Sequence, residues 1–119
     1  MDELDAVFEA VAEYFSVMSE PTRLKIIHAV CQQERSVNQI VEELHATQTN
    51  VSRHLGSMYR SGVLARRKEG NQVFYRISDP AMVEICRMVV TRIAGQSDEQ
   101  LTLRHGLLKP IPRRRKFAA

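Results

Sequence analysis

One stretch of the sequence carries polar and cationic side chains at a spacing suited to contact with a nucleic acid. In residues 47–61, Val51, Leu55 and Met58 recur at helical spacing, which predicts a helix with these side chains in the core. At about 100° per residue, the opposite face carries Thr49, Ser52, Arg53 and Gly56. Hydroxyl groups can bond to base edges, arginine can donate two bonds to guanine, and glycine permits close approach to a backbone. Considered alone, this helix could equally present an ordinary solvated face.

A basic hairpin is predicted directly after this helix. Alternation of apolar and polar residues over 63–68 and 72–77 predicts two strands, joined at Glu69-Gly70-Asn71. The first strand and the turn carry Arg66, Arg67, Lys68 and Asn71. A basic hairpin that follows a candidate recognition helix is typical of a wing, which lies along the DNA backbone or reaches into a minor groove.

A shorter helix precedes the candidate recognition helix and completes a helix-turn-helix pattern. Ser36 and Gln39 have the spacing of a capping box, in which each side chain bonds to the other residue's backbone N–H. After a turn at His45-Ala46, Thr47 can cap the next helix. The buried stripe of the shorter helix consists of Val37, Ile40, Val41 and Leu44. Two short helices joined by a tight turn and followed by a basic hairpin predict a winged helix-turn-helix.

Three further amphipathic helices complete the predicted order α-α-α-α-β-β-α, a mainly α fold with a small β-hairpin. The first has an apolar stripe of Leu4, Val7, Phe8, Val11, Tyr14, Phe15 and Met18. A break at Ser19-Glu20-Pro21 starts the second, whose predicted apolar face is Leu24, Ile27, His28 and Cys31. The fifth helix follows Asp79-Pro80 and carries Met82, Ile85, Cys86, Val89 and Ile93. A small domain has few places to bury the wide apolar stripes of its first and last helices. We therefore expect a second copy of the chain to cover them.

Charge is divided unevenly along the 119 residues. Residues 1–43 carry nine acidic and three basic side chains, whereas residues 44–119 carry five acidic and fourteen basic ones. Clustered positive charge indicates a polyanion partner, here double-stranded DNA. We expect one domain over residues 1–95 and a basic tail over 96–119, in which four consecutive cations end at Lys116.

Several classes of protein are disfavoured. No apolar run is long enough to span a membrane, no signal peptide is recognisable, and two cysteines suit a reducing compartment, so we expect no membrane partner and a cytoplasmic location. No glycine-rich phosphate loop, metal triad or nucleophile motif is present, so we expect neither an enzyme nor a cofactor.

The sequence resembles the ArsR/SmtB family of transcriptional repressors over roughly residues 5–94. The segments that carry the resemblance are Pro21-Thr22-Arg23-Leu24, Asn50-Val51-Ser52-Arg53-His54-Leu55 and Val73-Phe74-Tyr75-Arg76-Ile77. The resemblance implies a homodimer joined through the first and fifth helices, binding an inverted repeat and releasing it when an inducer binds. The family's DNA-reading pattern maps onto Gln48, Thr49, Ser52 and Arg53.

The departures from this family concern the inducer site. The Cys-x-Cys pair of many members is replaced by Ser36-Val37-Asn38, and only Asp79 remains of the family's zinc site on the fifth helix, so we expect no metal. Cys31 and Cys86 are a possible thiol sensor, although buried packing is the commoner role of free cysteines. His28 could assist them or be a core histidine. Small-molecule or thiol-reactive control and control by abundance or a protein partner both remain open.

Overall fold

The computed structural model describes residues 2–96 and contains eight helices and strands within them. In chain order they are α1 (Glu3–Ser16), α2 (Pro21–Val30), β1 (Arg35–Ser36), α3 (Val37–Leu44), α4 (Gln48–Arg60), β2 (Leu64–Glu69), β3 (Gln72–Ile77) and α5 (Pro80–Ala94). Contacts divide the chain into two compact units, Met1–Val83 and Glu84–Ala119, and α5 begins in the first. This order confirms a mainly α, winged helix-turn-helix fold.

Side-chain caps set the start of each helix of the helix-turn-helix. The Ser36 hydroxyl accepts from the Gln39 N–H at 3.1 Å, and the Gln39 side chain accepts from the Ser36 N–H at 2.8 Å, which is the predicted capping box. Thr47 Oγ1 accepts from the Asn50 N–H at 3.2 Å and caps α4. Between the two helices His45 adopts a left-handed conformation, which turns the chain sharply enough for α4 to pack on α3.

The core of the first unit lies between α2, α3, α4 and the inner face of the sheet. The predicted core residues of α4, Val51, Leu55 and Met58, are at most 1% exposed. The other fully buried side chains are Ile26, Val30, Ile40, Val63, Leu64 and Met82. Burial of an aliphatic side chain contributes about 1.5–3 kcal/mol, so α4 is held firmly by its inner face while its outer face stays open to solvent.

The sheet has the order β1-β3-β2 with both pairings antiparallel. Six residue pairs join β2 to β3, from Leu64–Ile77 to Glu69–Gln72. Gly70 in the connecting turn has φ 63, a left-handed conformation that glycine adopts without steric cost. Since β1 pairs with only two residues of β3, Tyr75 and Phe74, the hairpin extends beyond the third strand as a two-stranded wing.

Three expectations about the elements were wrong in detail. The two-residue strand β1 was not predicted, because a segment this short has no periodicity to detect. The strand expected at 63–68 lies one residue later, at Leu64–Glu69. Only Ile27 of the apolar face predicted for α2 is buried: Leu24 and His28 are exposed and Cys31 is partly exposed. The buried face is Ile26, Ile27, Ala29 and Val30.

Helix α1 has no buried residue. Leu4, Val7, Phe8, Val11 and Phe15 are 43–62% exposed, although they form the predicted apolar stripe. Tyr14 of the same stripe is only partly exposed. Its hydroxyl donates to Asp79 Oδ2 at 2.8 Å. In the second unit, Met88, Val89 and Val90 of α5 are at least 50% exposed. The expected tail, apart from Gln96, lies outside the described residues.

Candidate DNA interface

The outer face of α4 presents the residues predicted to read bases. Gln48, Thr49, Ser52 and Arg53 are all exposed along this helix. The Arg53 Nη2 donates to Asn50 Oδ1 at 2.5 Å, so the guanidinium is directed along the helix surface. Asn50 was not predicted as a site residue, although its position one turn before Arg53 is where a helical partner is expected.

An open cleft of about 300 Å³ joins α4 to the wing. Four of the predicted DNA-binding residues line it: Gln48 and Ser52 from α4, Arg66 from β2, and Asn71 from the hairpin turn. Its remaining lining is Ser36, Val37 and Asn38 at the start of α3, together with Gln72, Val73 and Tyr75 of β3. Thr49, Arg53, Arg67 and Lys68 are not part of this cleft. The cleft therefore combines hydrogen-bonding groups from α4, the start of α3, the hairpin turn and β3 with one cation, Arg66.

Arg66 is the cation of the cleft, and two aromatic residues orient it. Its guanidinium carbon lies 3.9 Å from the centre of the Tyr59 ring, and its Nη1 donates to the Tyr75 hydroxyl at 3.4 Å. The hydrogen bond with Tyr75 raises the pKa of Arg66 above its ordinary value, so the group stays charged. Within residues 2–96 no carboxylate forms an ion pair with Arg66, which leaves its charge available to an anion.

Arg67, the next residue on β2, is in a different environment. Its Nε and Nη2 donate to the two carboxylate oxygens of Glu34 at 2.9 and 2.8 Å, and its Nη1 donates to Glu69 at 2.6 Å. Its guanidinium also lies over the Phe74 ring at 4.5 Å. Hydrogen bonding to Arg67 lowers the pKa of the Glu34 carboxyl. Lys68 is exposed and forms no ion pair with any residue that the structure describes.

His54 fixes the inner side of α4 to α2. The residue is 4% exposed, its Nδ1 accepts from the Arg23 Nε at 3.2 Å, and its Nε2 lies 3.7 Å from Glu20 Oε1. This burial supports a packing role for His54 over a contact with phosphate. Arg23 also donates to the Ser16 carbonyl at 3.2 Å and so links the end of α1 to α4. A separation of 31 residues between Arg23 and His54 leaves no local signal in the sequence.

Cys31, Cys86 and Asp79 belong to no group of metal ligands within the part of the chain that the structure describes. Among residues 2–96 no three His, Cys, Asp or Glu side chains are grouped as metal ligands. Asp79 accepts from the Tyr14 hydroxyl and the Ala81 N–H, so both its oxygens are engaged. Cys31 is partly exposed and donates to the His28 carbonyl at 3.3 Å. Cys86 is also partly exposed, and burial raises the pKa of its thiol.

The fold and this surface define a winged helix-turn-helix DNA-binding protein. Residues 20–66 match the family described as bacterial regulatory protein, arsR family. The chain is 30% identical to the uncharacterized HTH-type transcriptional regulator Rv0081 of Mycobacterium tuberculosis over 76% of this chain and 83% of that protein. It is 34% identical to the transcriptional repressor PagR of Bacillus anthracis over 66% of this chain and 79% of PagR. The chain belongs to the ArsR family.

A solved structure supports the same assignment. The homodimeric winged helix-turn-helix DNA-binding domain of Mb0332 from Mycobacterium bovis superposes with a TM-score of 0.69 and 26% identity, covering 92% of this chain and 96% of that domain. The protein is thus a DNA-binding transcriptional regulator of a family that is not enzymatic, and DNA binding and homodimerisation are typical of that family. None of the described helices has the length and apolar composition needed to cross a membrane.

Proposed function

We propose that this regulator is a homodimeric repressor that binds an inverted-repeat operator. The single observation that carries the proposal is the uncovered apolar face of α1, where Phe8 is 62% and Leu4 59% exposed. Large apolar side chains in a row at helical spacing are costly to leave in water, at about 25 cal/mol per Å² of apolar area. A second copy covers such a face through a two-fold axis. The exposed apolar residues of α5 are likewise available to a partner.

Each protomer contributes one recognition helix to the operator. A two-fold axis presents α4 twice, so the two half-sites are inverted and lie about 34 Å apart or a multiple of this distance. Thr49 and Arg53 read base edges in the major groove, together with Gln48 and Ser52 at the margin of the cleft. The cleft receives a backbone phosphate, which Arg66 and Asn71 bind, and Lys68 contacts the backbone further along the wing.

Repression follows from occupying the operator. PagR, to which the chain is 34% identical, is a transcriptional repressor, and this likeness supports the same direction of control. A dimer with two recognition helices and two basic wings covers enough DNA to compete with another protein for an overlapping site.

Selection of bound duplexes from random DNA, followed by footprinting, tests the proposal. We expect an inverted repeat with both half-sites protected, and transcription from a promoter that overlaps the repeat to fall when the protein is added. Protection of one asymmetric half-site would contradict the dimeric arrangement. Activation of the same promoter would contradict repression.

Thiol chemistry at Cys31 and Cys86 is the proposed route for an inducer. Partial exposure of both cysteines supports access by a thiol-reactive compound. Against it, the raised pKa of Cys86 keeps that thiol protonated at neutral pH and slows its reaction. The alternative is a regulator without an inducer, controlled by its abundance or by a protein partner.

The two routes are separated by DNA binding in the presence of persulfide, peroxide, arsenite, zinc or heme. For a thiol sensor, one of these agents releases the DNA from the wild-type protein but not from Cys31→Ser or Cys86→Ser, and mass spectrometry shows both thiols modified. Release that persists in both variants would place the sensor elsewhere. No release by any agent would favour control without an inducer.

A further inference from the structure

We infer that Arg67 is a positioning residue of the wing and not a DNA contact, and that its partner Glu34 is required for DNA binding although Glu34 is acidic. The inference deepens the proposed function and rests on it, since it concerns how the wing reaches DNA. Composition alone groups Arg67 with Arg66 and Lys68 as three equivalent cations.

The path of the Arg67 side chain crosses the sheet. Arg67 on β2 is opposite Phe74 on the central strand, and Phe74 is opposite Ser36 on β1. The guanidinium passes over the Phe74 ring and reaches Glu34, the residue immediately before β1. One side chain therefore joins the outer edge of the wing to the opposite edge of the sheet. We call the Arg67–Glu34 pair with Phe74 beneath it the wing clasp.

The wing clasp lies where support for the hairpin ends. The pair Arg67–Phe74 is the last rung of β2 and β3 that still has β1 beside it, and the two rungs beyond it form a ribbon of two strands. Ribbons of two strands twist more freely than wider sheets, so their direction depends on contacts at their base. Since β1 leads directly into α3, the clasp sets the direction of the wing relative to the helix-turn-helix.

The geometry of the Arg67–Glu34 ion pair fixes the orientation of the Arg67 side chain. Two parallel N–H donors on two carboxylate oxygens form a fork that fixes the plane of the guanidinium. The third donor is engaged by Glu69, so two carboxylates offset the charge of Arg67. Arg76 also lowers the pKa of the Glu34 carboxyl by its charge. A phosphate that approached Arg67 would meet the negative charge of both carboxylates, whereas no carboxylate of the described residues forms an ion pair with Arg66.

The test uses three variants, Glu34→Gln, Arg67→Gln and the double variant, with the selected operator duplex and full-length protein. If Arg67 contacts phosphate, Glu34 is merely an acidic group near DNA, and Glu34→Gln binds as tightly as wild type or more tightly. If the clasp positions the wing, Glu34→Gln weakens operator binding about two- to fivefold, the effect of a well-formed exposed ion pair. Glu42→Gln is the matched control, since Glu42 is exposed on α3 and forms no ion pair among residues 2–96.

The double variant has the same net charge as wild type, so its salt dependence can be read directly. If Arg67 positions the wing, the double variant binds operator no more weakly than Arg67→Gln does. Its slope of log affinity against log salt concentration is then the same as that of wild type. With a phosphate contact, the slope falls by about 0.9 for each wing, or about two for the dimer. A fall of that size, or a Glu34→Gln variant that binds like Glu42→Gln, would overturn the inference. If the wild-type protein binds no selected duplex, the proposed function itself fails.

Discussion

His54 lies in the core with its ring between one cation and one carboxylate. Burial lowers the pKa of His54 below its ordinary value, and the nearby charges of Arg53 and Arg23 lower it further, while Glu20 acts in the opposite direction. Because Nδ1 accepts the hydrogen bond from Arg23, the proton of the neutral ring is on Nε2, on the side of Glu20. Protonation of Nδ1 would remove this bond between α2 and α4.

We predict that acidification below about pH 6.5 destabilises the protein through His54. Since the pKa is lower in the folded than in the unfolded state, the unfolded chain binds the proton first. The free energy of unfolding therefore falls as pH drops from 6.5 and levels off below the folded-state pKa, with a slope of at most about 1.4 kcal/mol per pH unit for each chain.

Denaturant unfolding at fixed protein concentration measures this slope. His54→Asn, whose amide oxygen can replace Nδ1 as the acceptor for Arg23, should remove the slope in this range. The control His28→Asn changes an exposed histidine of α2 and should retain it. Equal pH dependence in wild type and His54→Asn would contradict the role of His54.

Arg53 is predicted to discriminate between bases, and Lys68 to bind DNA of any sequence. Loss of a two-bond contact with guanine costs about 1–3 kcal/mol, so Arg53→Ala should weaken operator binding by that amount and relax the sequence preference. Lys68→Ala should weaken binding to operator and random duplexes alike and lower the salt slope by about one per wing. Titration of both duplexes with both variants measures the difference. Identical behaviour of the two variants would remove the distinction.

At the scale of single residues, exposure could be predicted from the sequence where helical geometry alone decides it. Thr49, Ser52 and Arg53 follow from a period of 3.6 and are exposed as expected. The partners of Arg67 and His54 did not follow, because they lie 33 and 31 residues away in the chain. Only the packing of β1 beside β3 and of α2 against α4 brings these side chains together.

At the scale of elements, local signals decided the outcome. Ser36, Gln39 and Thr47 cap α3 and α4 through partners three residues away, so the positions of these helices could be predicted from the sequence. The buried face of α2 could not, because apolar residues occur around most of that helix. Tertiary packing buries Ile26 and Val30, whereas it leaves Leu24 exposed and Cys31 partly exposed.

Gly56 allows a test of whether a residue that lowers the stability of α4 also permits close contact with DNA. Glycine inside a helix costs about 0.5–1 kcal/mol relative to alanine, so Gly56→Ala should raise the free energy of unfolding by that amount. The added Cβ would lie 3.2 Å from Arg60 Nη1, the end of a flexible side chain that can move aside. Against DNA, the same methyl group should weaken binding by about 1–3 kcal/mol, as in an overpacked interface.

Thermal or denaturant unfolding and operator titration of Gly56→Ala measure the two effects separately. Ser57→Ala, one residue along and about 100° around the helix, is the matched control and should leave DNA binding nearly unchanged. A Gly56→Ala variant that is more stable and binds operator as well as wild type would show that DNA does not approach this position closely.

At the scale of the whole molecule, two features of the sequence point to partners outside the chain. The excess of basic residues after residue 43 corresponds to the half that contains α4 and the wing. The apolar stripe of α1 was predicted from spacing, and its exposure in a single chain is consistent with the second copy that we propose. Both features could be predicted because they depend on composition and period, not on contacts between distant residues.

The dimer is tested most directly at Phe8. We predict that Phe8→Glu produces a monomer, because a carboxylate in an apolar interface loses its hydration without gaining a partner. The substitution should cost little in the folding of one chain, since Phe8 is 62% exposed there. Sedimentation equilibrium measures the mass, and operator titration should show at least about a hundredfold loss of affinity when the two recognition helices are no longer linked.

Glu9→Gln, on the polar side of α1, is the control and should remain dimeric. A Phe8→Glu protein that is still a dimer would place the interface away from α1, and a monomer that binds the full operator unchanged would mean that one recognition helix suffices.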